Sequence, residues 1–505
     1  MFKKQQARVG QMMVILAVAL VGVLAFTGLA VDLGRYLLAM GRLRQAADAA
    51  SLAAAAQFRE NRTIAEMTDA ARSMVVANGF TPTAFTVNTC DTKPGDPYLC
   101  NPPRSKKVEV DVEAEMPTAF LQIIGINTLR LKAVSVGEAA SMDVVLVIDT
   151  SESMTYDAAA GNPMRDPSQC NPGHRCHPFE EVRAAAKNFT SRILNLPPAK
   201  EQDRLAIVTF ADGWRTGDTG PHFPAGVSGT TSLAQAWTYN YTDAVGILDS
   251  LQVFDPGWTC SADDLAGKGD ELGPCRRYDG DGNYQGLDCP LFRNPSYHDP
   301  STCTTTAIGG GLYWAAQLLS TSGRENALWI VVVLTDGAAN STLPAPGDDL
   351  RDHAHALASL PIGFCPPSTF GAPPFCRDNS VASRHVYPDP NYDADDYARD
   401  MADWLACSAN PAAGCSTAGQ GAAIFSIGLG PLVVKVQSPD TVPAGGALLR
   451  YIAAVGDDGD PSTDPCAGIT DYTAWCGNYY YSPTGSKLDR VFEDIASRLF
   501  TRLTH

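Results

Sequence analysis

The chain has 505 residues, of which 45% are hydrophobic and 18% are charged, and its formal net charge is −17. The apolar content excludes a mostly disordered protein, and the net acidity argues against nucleic-acid binding, because phosphate contacts need a basic face. The charge is unevenly distributed. Residues 1–139 carry 15 lysines and arginines against 12 acidic residues (+3), whereas residues 140–505 carry 23 against 43 (−20).

An uncharged apolar segment lies near the N-terminus. Residues 12–31 are MMVILAVALVGVLAFTGLAV, and a helix of this length is about 30 Å long, the thickness of a hydrocarbon core. Lys3, Lys4 and Arg8 precede it, so we expect residues 1–11 to lie in the cytoplasm. A cleavable signal peptide is the alternative, but the run is long for one and no clear A-x-A site follows. The sequence favours a retained signal anchor.

Residues 32–139 are predicted to form a helical stalk and a small sheet. The stretch after the apolar segment is rich in Ala and Leu and contains no proline, so we expect the membrane helix to continue outward. A second helix is predicted over 64–78. The segment KVEVDVEAE at 107–115 alternates apolar and charged residues, which is typical of a half-buried strand, and LRLKAVSV at 129–136 is its predicted partner.

This N-terminal part resembles TadE/TadG-like proteins of Flp (tight-adherence) pilus assembly. The resemblance depends on Gly10-Gln11 before the apolar segment, AVDLGR at 30–35 and the QAADAASLAAA stalk at 45–55. It implies a pilin-like α+β module and a single-pass anchor in the bacterial cytoplasmic membrane. The C-terminal domain is then expected to be periplasmic or extracellular.

The fourteen cysteines all follow the apolar segment and form close sequential pairs. An even number in loop-like sequence predicts disulfides in an oxidising compartment. The predicted pairs are Cys90–Cys100, Cys170–Cys176, Cys260–Cys275, Cys289–Cys303, Cys365–Cys376, Cys407–Cys415 and Cys466–Cys476. The spacing also allows an alternative pairing of four of these cysteines, in which a Cys260–Cys303 disulfide encloses a Cys275–Cys289 disulfide. Zinc binding by CNPGHRCH at 170–177 is disfavoured, because its cysteines are widely spaced and no second ligand pair is evident.

Apolar strands alternate with helices in residues 140–505. The predicted strands are 143–149, 204–210, 329–334 and 422–427, and the predicted helices are 180–196, 243–251, 309–319 and 487–503. This alternation predicts an α/β fold with a doubly wound, mainly parallel, Rossmann-like sheet. In such a sheet, ligands bind beyond the carboxyl ends of the strands.

Polar residues stand at three of these element ends. DTSES at 149–153 follows the first strand, Thr306 precedes IGGGL, and Asp336 follows WIVVVLT. The two carboxylates and three hydroxyls are hard oxygen donors, which suit Mg²⁺, Mn²⁺ or Ca²⁺ better than zinc. The sequence therefore predicts a divalent-cation site at the carboxyl edge of the sheet.

In order and spacing, these residues resemble the metal-ion-dependent adhesion site (MIDAS) of von Willebrand factor A (VWA) domains. The resemblance assigns as metal ligands Asp149, Ser151, Ser153, Thr306 and Asp336. It implies that an acidic residue of a protein partner completes the coordination of the cation, for which we expect Mg²⁺, with Mn²⁺ or Ca²⁺ as alternatives. Thr304, Thr305 and the segment 229–232 remain rivals of Thr306.

Residues 140–505 are too many for one such domain, which needs about 180–200 residues. We therefore expect disulfide-stapled insertions at about 155–178, 211–239, 254–303 and 340–421. Because they follow strands at the edge that carries the metal site, they are candidates for a partner-binding rim.

Two acidic segments within the insertions stand out. DGDGNYQGLD at 279–288 resembles a calcium loop, with the candidate ligands Asp279, Asp281, Asn283 and Asp288. It lacks a bidentate glutamate and flanking helices, which favours a solvated acidic loop instead. The segment 393–406 predicts a surface helix with an acidic face.

The sequence contains no H-E-x-x-H, G-x-S-x-G or P-loop pattern, so no enzyme is predicted. The leading hypothesis is a membrane-anchored binding protein of Flp pilus assembly or adhesion, whose partners are pilus subunits or assembly proteins. A structural minor pilin-like subunit and a secreted metal-dependent hydrolase are the alternatives.

Overall fold

The computed structural model divides the chain into two compact units. The first consists of Met1–Ala140 with two short stretches from elsewhere, and the second of Ser141–Asn195 and Asp203–Arg502. The residues it describes are 3–57, 63–100, 106–156, 164–194, 202–211, 230–262, 275–288, 306–341, 384–385, 392–407, 415, 419–436 and 441–502.

The first unit is a long helix with a small antiparallel sheet. Its elements are the helices α1 (Lys3–Ala55) and α2 (Ile64–Ala77) and the strands β1 (Pro82–Asn88), β2 (Lys106–Pro117) and β3 (Thr128–Ala139). The strands pair in the order β1-β2-β3. The second helix and the strand pair predicted from the sequence are confirmed, and α1 continues from the apolar segment into the stalk as predicted.

The two parts of α1 have different surroundings. Side chains of 12–31 are mostly exposed, and the helix is long and apolar enough to cross a membrane by length and composition. In the later part, Ala47 and Ala50 are buried in a core with the alternating valines of β2. Small residues allow helix and sheet to approach closely: a Cβ added to Gly137 of β3 would lie 2.4 Å from the carbonyl oxygen of Ser51.

The second unit contains seven helices and eight strands among the described residues. The helices are α3 (Pro167–Cys170), α4 (Phe179–Leu194), α5 (Tyr241–Ser250), α6 (Ile308–Ser322), α7 (Ala394–Ala406), α8 (Ala444–Asp458) and α9 (Leu488–Arg502). The strands are β4 (Ser141–Asp149), β5 (Arg204–Phe210), β6 (Ser232–Thr238), β7 (Cys275–Tyr278), β8 (Tyr284–Asp288), β9 (Ala327–Thr335), β10 (Ala423–Leu429) and β11 (Tyr479–Ser482).

Six of these strands form the main sheet, in the order β11-β10-β9-β4-β5-β6. The first five are parallel, and β6 is an antiparallel edge strand. From β4 the chain proceeds through β5 to β6 and then returns to the other side of β4 with β9, β10 and β11. The direction of strand addition therefore reverses between β4 and β9. The strands β7 and β8 form a separate hairpin.

Helices cover both faces of the sheet. On one face, α6, α7 and α8 share a core with alternate strand residues, including Tyr479 and Tyr481 of β11. Tyr480, between them, points to the opposite face, where its hydroxyl donates to Asp494 of α9 at 2.8 Å. There α9 packs against α4, and α4 against α5. The five parallel strands are mostly buried on both sides, which explains their nearly continuous apolar sequences.

Two of the predicted insertions contain parts of the fold itself. The segment 211–239 ends in β6, which pairs with β5, and the segment 340–421 includes α7. Ala398 and Ala402 of α7 are buried in the core with α6 and α8. The predicted insertion boundaries were wrong here, because β6 is a half-exposed edge strand with little apolar pattern and α7 follows a long Pro- and Cys-rich stretch.

The predicted acidic surface helix at 393–406 is also wrong in one respect. The helix exists as α7, but Asp395, Asp396 and Asp403 are buried. Arg399 pairs with the first two at 2.6 and 3.1 Å, and Arg384 pairs with the third at 2.8 Å. Paired guanidinium groups replace the water that exposed carboxylates would have, and the arginine from outside the helix could not be found by helical spacing.

Five disulfides are present among the described residues. They are Cys90–Cys100, Cys170–Cys176, Cys260–Cys275, Cys407–Cys415 and Cys466–Cys476. The pairing of Cys260 with Cys275 is incompatible with the nested alternative, and the bonded Cys170 and Cys176 leave no thiol for zinc in the 170–177 segment. The predicted pairs Cys289–Cys303 and Cys365–Cys376 lie outside the described residues.

The close packing of α8 on the sheet can be tested at Gly456. A Cβ there would lie 2.4 to 2.7 Å from atoms of Ile424 in β10, so we expect Gly456→Ala to lower the free energy of unfolding by about 1–3 kcal/mol. In α5, Gly246 has nothing within 4 Å of an added Cβ, so Gly246→Ala should raise it by about 0.5–1 kcal/mol. Urea denaturation of both variants measures the difference, and equal effects would contradict this packing.

Candidate metal centre

The polar residues predicted to bind a cation lie where the strand order reverses. Asp149 ends β4, and Asp336 directly follows β9. The two strands are parallel neighbours, with Ile148 opposite Leu334, so both carboxylates are delivered to the same edge of the sheet. The carboxyl edge at such a reversal is the usual binding site of open α/β sheets.

The chain after β4 turns back on itself and brings three side chains together. The backbone N–H of Ser151 donates to Oδ1 of Asp149 at 2.7 Å. A 3₁₀ turn over Glu152–Thr155 follows, and the hydroxyl oxygens of Ser151 and Ser153 are 2.9 Å apart. The alternate spacing in DTSES therefore places its carboxylate and both serine hydroxyls on one side of the loop.

Asp336 joins this group from β9. The hydroxyl of Ser153 donates to Oδ1 of Asp336 at 2.6 Å. Thr335, the residue before Asp336, donates from its hydroxyl to Oδ2 of Asp149 at 2.6 Å. Four of the five predicted ligands are thus connected by hydrogen bonds. Thr335 was missed by the sequence analysis, although it directly precedes the predicted ligand Asp336.

The fifth predicted ligand, Thr306, is buried just before α6. Its backbone N–H donates to Oδ1 of Asn340 at 2.8 Å, and its carbonyl accepts from the Asn340 N–H at 3.1 Å. Asn340, a second residue that sequence reasoning missed, thereby fixes the Thr306 segment to the loop after Asp336. These bonds are made by the backbone, and they do not join the Thr306 hydroxyl to the other four ligands.

The rival segment at 229–232 reaches the same edge by another route. The hydroxyl of Thr231 accepts from the backbone N–H of Ala211 at 3.0 Å, and the carbonyl of Ala211 accepts from Ala307 N–H at 2.7 Å. Thr231 is therefore a link between β5 and the start of α6. Gly229, Thr304 and Thr305 lie outside the described residues.

Burial shapes the electrostatics of the two carboxylates. Burial raises the pKa of Asp149 to about 6, although hydrogen bonds from Ser151 and Thr335 partly offset it. Burial and the nearby charge of Asp149 raise the pKa of Asp336 well above its ordinary value. The contacts described for this pair come from hydroxyls and backbone N–H groups, none of which carries a full positive charge. The donor set is all oxygen and fits a hard divalent cation.

The β7–β8 hairpin contacts the loop of the candidate site. Glu152 is buried, and its carboxylate accepts from the hydroxyl of Tyr284 in β8. Burial raises the pKa of Glu152 to about 7, and the tyrosine bond lowers it in part. Tyr278 of β7 also donates to Asp166 at 2.5 Å. The β7–β8 hairpin therefore supports the DTSES loop from outside, a contact that no sequence pattern indicated.

The structure does not bring the four predicted calcium ligands together. Asp279 accepts from the backbone N–H groups of Asp281 and Asn283, at 3.0 and 2.8 Å, and so closes the hairpin turn. Asp288 is at the far end of β8, opposite Cys275. Strand geometry separates Asp288 from the turn by about 14–17 Å, which explains why the linear spacing was misleading.

A small pocket lies next to Asp336 at the surface of this edge. Tyr156, Leu432, Pro483 and Thr484 are among the residues that line it. They come from the loops after β4, β10 and β11, so the loops at the carboxyl ends of three strands surround the approach to the candidate metal centre.

The N-terminal part matches a known family. Residues 10–57 match the family described as putative Flp pilus-assembly TadE/G-like. The match spans the apolar segment and the Ala-rich stalk of α1. No curated protein matches the chain.

Several solved structures resemble the chain at low identity. The pilus adhesin SpaC from Lactobacillus rhamnosus GG is 12% identical, with a TM-score of 0.35 over 79% of this chain, and the chain covers 33% of SpaC. The vWF domain of the type V pili tip protein Mfa5 from Porphyromonas gingivalis is 15% identical, with a TM-score of 0.35, and the coverage is 72% of this chain and 97% of that domain.

A third similar structure is proximal thread matrix protein 1 from the mussel byssus, with a zinc-occupied MIDAS motif. It is 13% identical, with a TM-score of 0.28, and the coverage is 72% of this chain and 46% of that one. With TM-scores of 0.35 or below, these likenesses do not define the fold of this chain.

Proposed function

We propose that this chain is a membrane-anchored, non-enzymatic binding protein of Flp pilus assembly or adhesion, with a VWA domain that binds a protein partner through a divalent cation. The observation behind the binding function is the hydrogen-bonded group Asp149, Ser151, Ser153 and Asp336 at the reversal point of the sheet. The Tad family match at 10–57 supports the connection to the pilus.

The proposed ligands are of two kinds, charged carboxylates and neutral hydroxyls. Asp149 and Asp336 supply negative charge, and Ser151 and Ser153 supply neutral oxygens, with Thr306 as a fifth ligand on the α6 side. Mg²⁺ keeps water in positions that protein groups do not fill, so a partner carboxylate can replace one water. The pocket next to Asp336 is the proposed entry for that carboxylate.

The proposed topology follows from the apolar part of α1. It places the N-terminus in the cytoplasm, as the basic residues before the apolar segment indicate, and the disulfide-bonded unit outside the membrane, where oxidising conditions maintain its disulfides. The approach to the cation then passes an acidic surface, because residues 140–505 carry a net charge of −20 by the sequence count. A partner with basic residues around its acidic one would fit best.

Replacing one hydroxyl ligand tests the site directly. We expect Ser151→Ala to weaken Mn²⁺ binding at least tenfold in isothermal titration calorimetry and to abolish divalent-dependent binding of purified pilus subunits. Ser320→Ala, an exposed serine hydroxyl in α6, should change neither. Unchanged Mn²⁺ affinity in the Ser151 variant would contradict the proposed site, whereas retained partner binding with lost Mn²⁺ would contradict only its role in recognition.

A structural minor pilin-like subunit is the alternative function. The long helix α1 packed on a three-stranded sheet favours it, since that unit could assemble beside other pilus subunits through its helix. It predicts that the Ser151→Ala protein is still incorporated into purified pili, in amounts equal to wild type by immunoblot.

A further inference from the structure

The turn between β2 and β3 has an unusual surface for a part of the chain in water. Residues 118–127 are TAFLQIIGIN, without a charged side chain. Ile123 is 80% exposed and Ile124 is 72% exposed, and Phe120 and Ile126 beside them are also exposed. A cluster of large exposed apolar side chains marks a surface that contacts protein or membrane.

The turn is fixed at one level of α1. The carboxylate of Asp32 accepts hydrogen bonds from the backbone N–H groups of Ala119, Phe120 and Leu121, at 2.7, 2.8 and 2.7 Å. A Cβ added to Gly28 would lie 2.9 Å from the side chain of Phe120. The turn therefore rests on the last helical turns of the apolar segment 12–31.

The hairpin extends from this level toward the C-terminal end of α1. At its other end, the hydroxyl of Ser135 in β3 donates to Asp48 at 2.6 Å. The helix from Asp32 to Asp48 is about 24 Å long at 1.5 Å per residue. The turn is consequently the end of the hairpin closest to the apolar segment, and the body of the sheet lies farther away.

Charged side chains on the hairpin begin just beyond the turn that Asp32 holds. Just beyond the turn, Lys132 pairs with Asp111 at 2.8 Å on a solvated face, and Arg130 pairs with Glu113. The turn itself contains no charged side chain. Asp32 is fully buried under the three N–H groups, so the first carboxylate after the apolar segment is not presented to the lipid, where an unsatisfied charge would be costly.

The apolar surface of the turn continues that of the helix. Just after Asp32, which holds the turn, α1 exposes Leu33, Leu37 and Leu38, and in sequence these follow the exposed side chains of 12–31. A protein partner that covered only the turn would leave the apolar side chains of α1 exposed to water. A bilayer would cover the apolar side chains of the helix and of the turn together.

We propose that the turn at 118–127 inserts into the headgroup and acyl boundary of the bilayer leaflet from which α1 emerges, as a second membrane contact of this chain. The proposal rests on the membrane anchor proposed above. Phe120, Ile123, Ile124 and Ile126 enter the boundary, and Asp32 holds the turn at the right depth. Two contacts fix the tilt of the hairpin relative to the membrane, which one helix alone would not do.

Depth-dependent fluorescence quenching tests this in the full chain. An environment-sensitive fluorescent amino acid is introduced at position 123, and the protein is reconstituted into vesicles of phosphatidylcholine and phosphatidylglycerol with spin-labelled lipids. We expect lipids labelled near the top of the acyl chain to quench the probe at least twofold. The matched control is position 134, where Val134 is 52% exposed on β3 near the level of Asp48; its emission should not change.

A third probe at Leu24, inside the apolar segment, separates this proposal from the membrane anchor. Quenching at 24 without quenching at 123 would overturn the turn proposal alone, and shielding of 123 from aqueous iodide in that case would point to a second copy of the chain as the cover. Absence of quenching at 24 would overturn both the anchor and the turn. Neither result bears on the cation site, because the measurement is made in chelator.

Discussion

Asp336→Asn is expected to make the protein more stable in chelator and insensitive to Mg²⁺. In the absence of a cation, Asp149 and Asp336 are buried like charges whose pKa values are both raised, so removing one charge relieves their repulsion. Wild type should gain about 2.7 kcal/mol of unfolding free energy when Mg²⁺ is one hundred times its Kd. The variant, with one acidic ligand lost, should gain almost nothing.

Thermal unfolding of the detergent-solubilised chain, with EDTA and with increasing Mg²⁺, measures both effects. The matched control is Asp279→Asn in the β7–β8 turn, where the carboxylate closes a turn on the surface. It should keep the Mg²⁺-dependent gain. A gain that survives in Asp336→Asn but disappears in Asp279→Asn would place the cation in the hairpin and contradict the proposed centre.

The parallel core was predictable from the sequence because its strands are buried on both faces. Continuous apolar runs such as those of β4 and β9 leave little choice of structure, and their polar ends mark the carboxyl edge. The same reasoning located Asp149, Ser151, Ser153 and Asp336, which the structure connects by hydrogen bonds. For these residues local sequence order is enough, since each follows a strand directly.

Elements at the margin of the sheet were harder to predict. Strand β6 is only partly buried, and β11 is four residues long, so neither has a clear period. Helix α7 looked solvated because its acids were counted without Arg384, which comes from outside the helix. In each case the contact that determines the structure of the element joins residues distant in sequence. A local sequence pattern cannot indicate such a contact.

The supporting contacts of the candidate metal centre illustrate the same limit. Tyr284 stands 132 residues after the Glu152 that it contacts, and Asn340 stands 34 residues after Thr306. Neither residue type is unusual in a loop, and only the fold brings each pair together. The sequence therefore predicted the candidate ligands but not the groups that hold them, and for the β7–β8 segment it favoured a solvated acidic loop without indicating the contact with Glu152.

The largest expected loss of stability comes from Asp143→Asn, at the opposite end of β4. The buried carboxylate of Asp143 accepts from Arg204 at 2.8 and 2.7 Å, and from the backbone and side chain of Arg324 at 2.8 Å each. It thereby joins β4, β5 and the segment before β9. Removing its charge leaves two guanidinium groups with a neutral partner, so we expect a loss of about 3–5 kcal/mol.

The pH dependence of this loss has a defined sign. Burial alone would raise the pKa of Asp143, but hydrogen bonds from Arg204 and Arg324 outweigh it and lower the pKa below 3.8. A lowered pKa stabilises the folded state fully above pH 3.8, and that contribution disappears as the pH falls through the folded value. The difference between wild type and Asp143→Asn should therefore be full at pH 7 and shrink below pH 3.8.

Urea denaturation followed by tryptophan fluorescence, at pH 7 and at pH 3, measures this difference. The comparison variant is Glu493→Gln, which breaks the exposed pair of Glu493 with Arg192 at 2.9 Å; surface pairs contribute only about 0–1 kcal/mol. An Asp143→Asn protein no less stable than the Glu493→Gln protein at pH 7 would show that the two arginines find other partners. The strand junction at the end of β4 opposite the candidate metal centre would then depend on packing alone, because the apolar contacts of β4 with β5 and β9 are unchanged by the substitution.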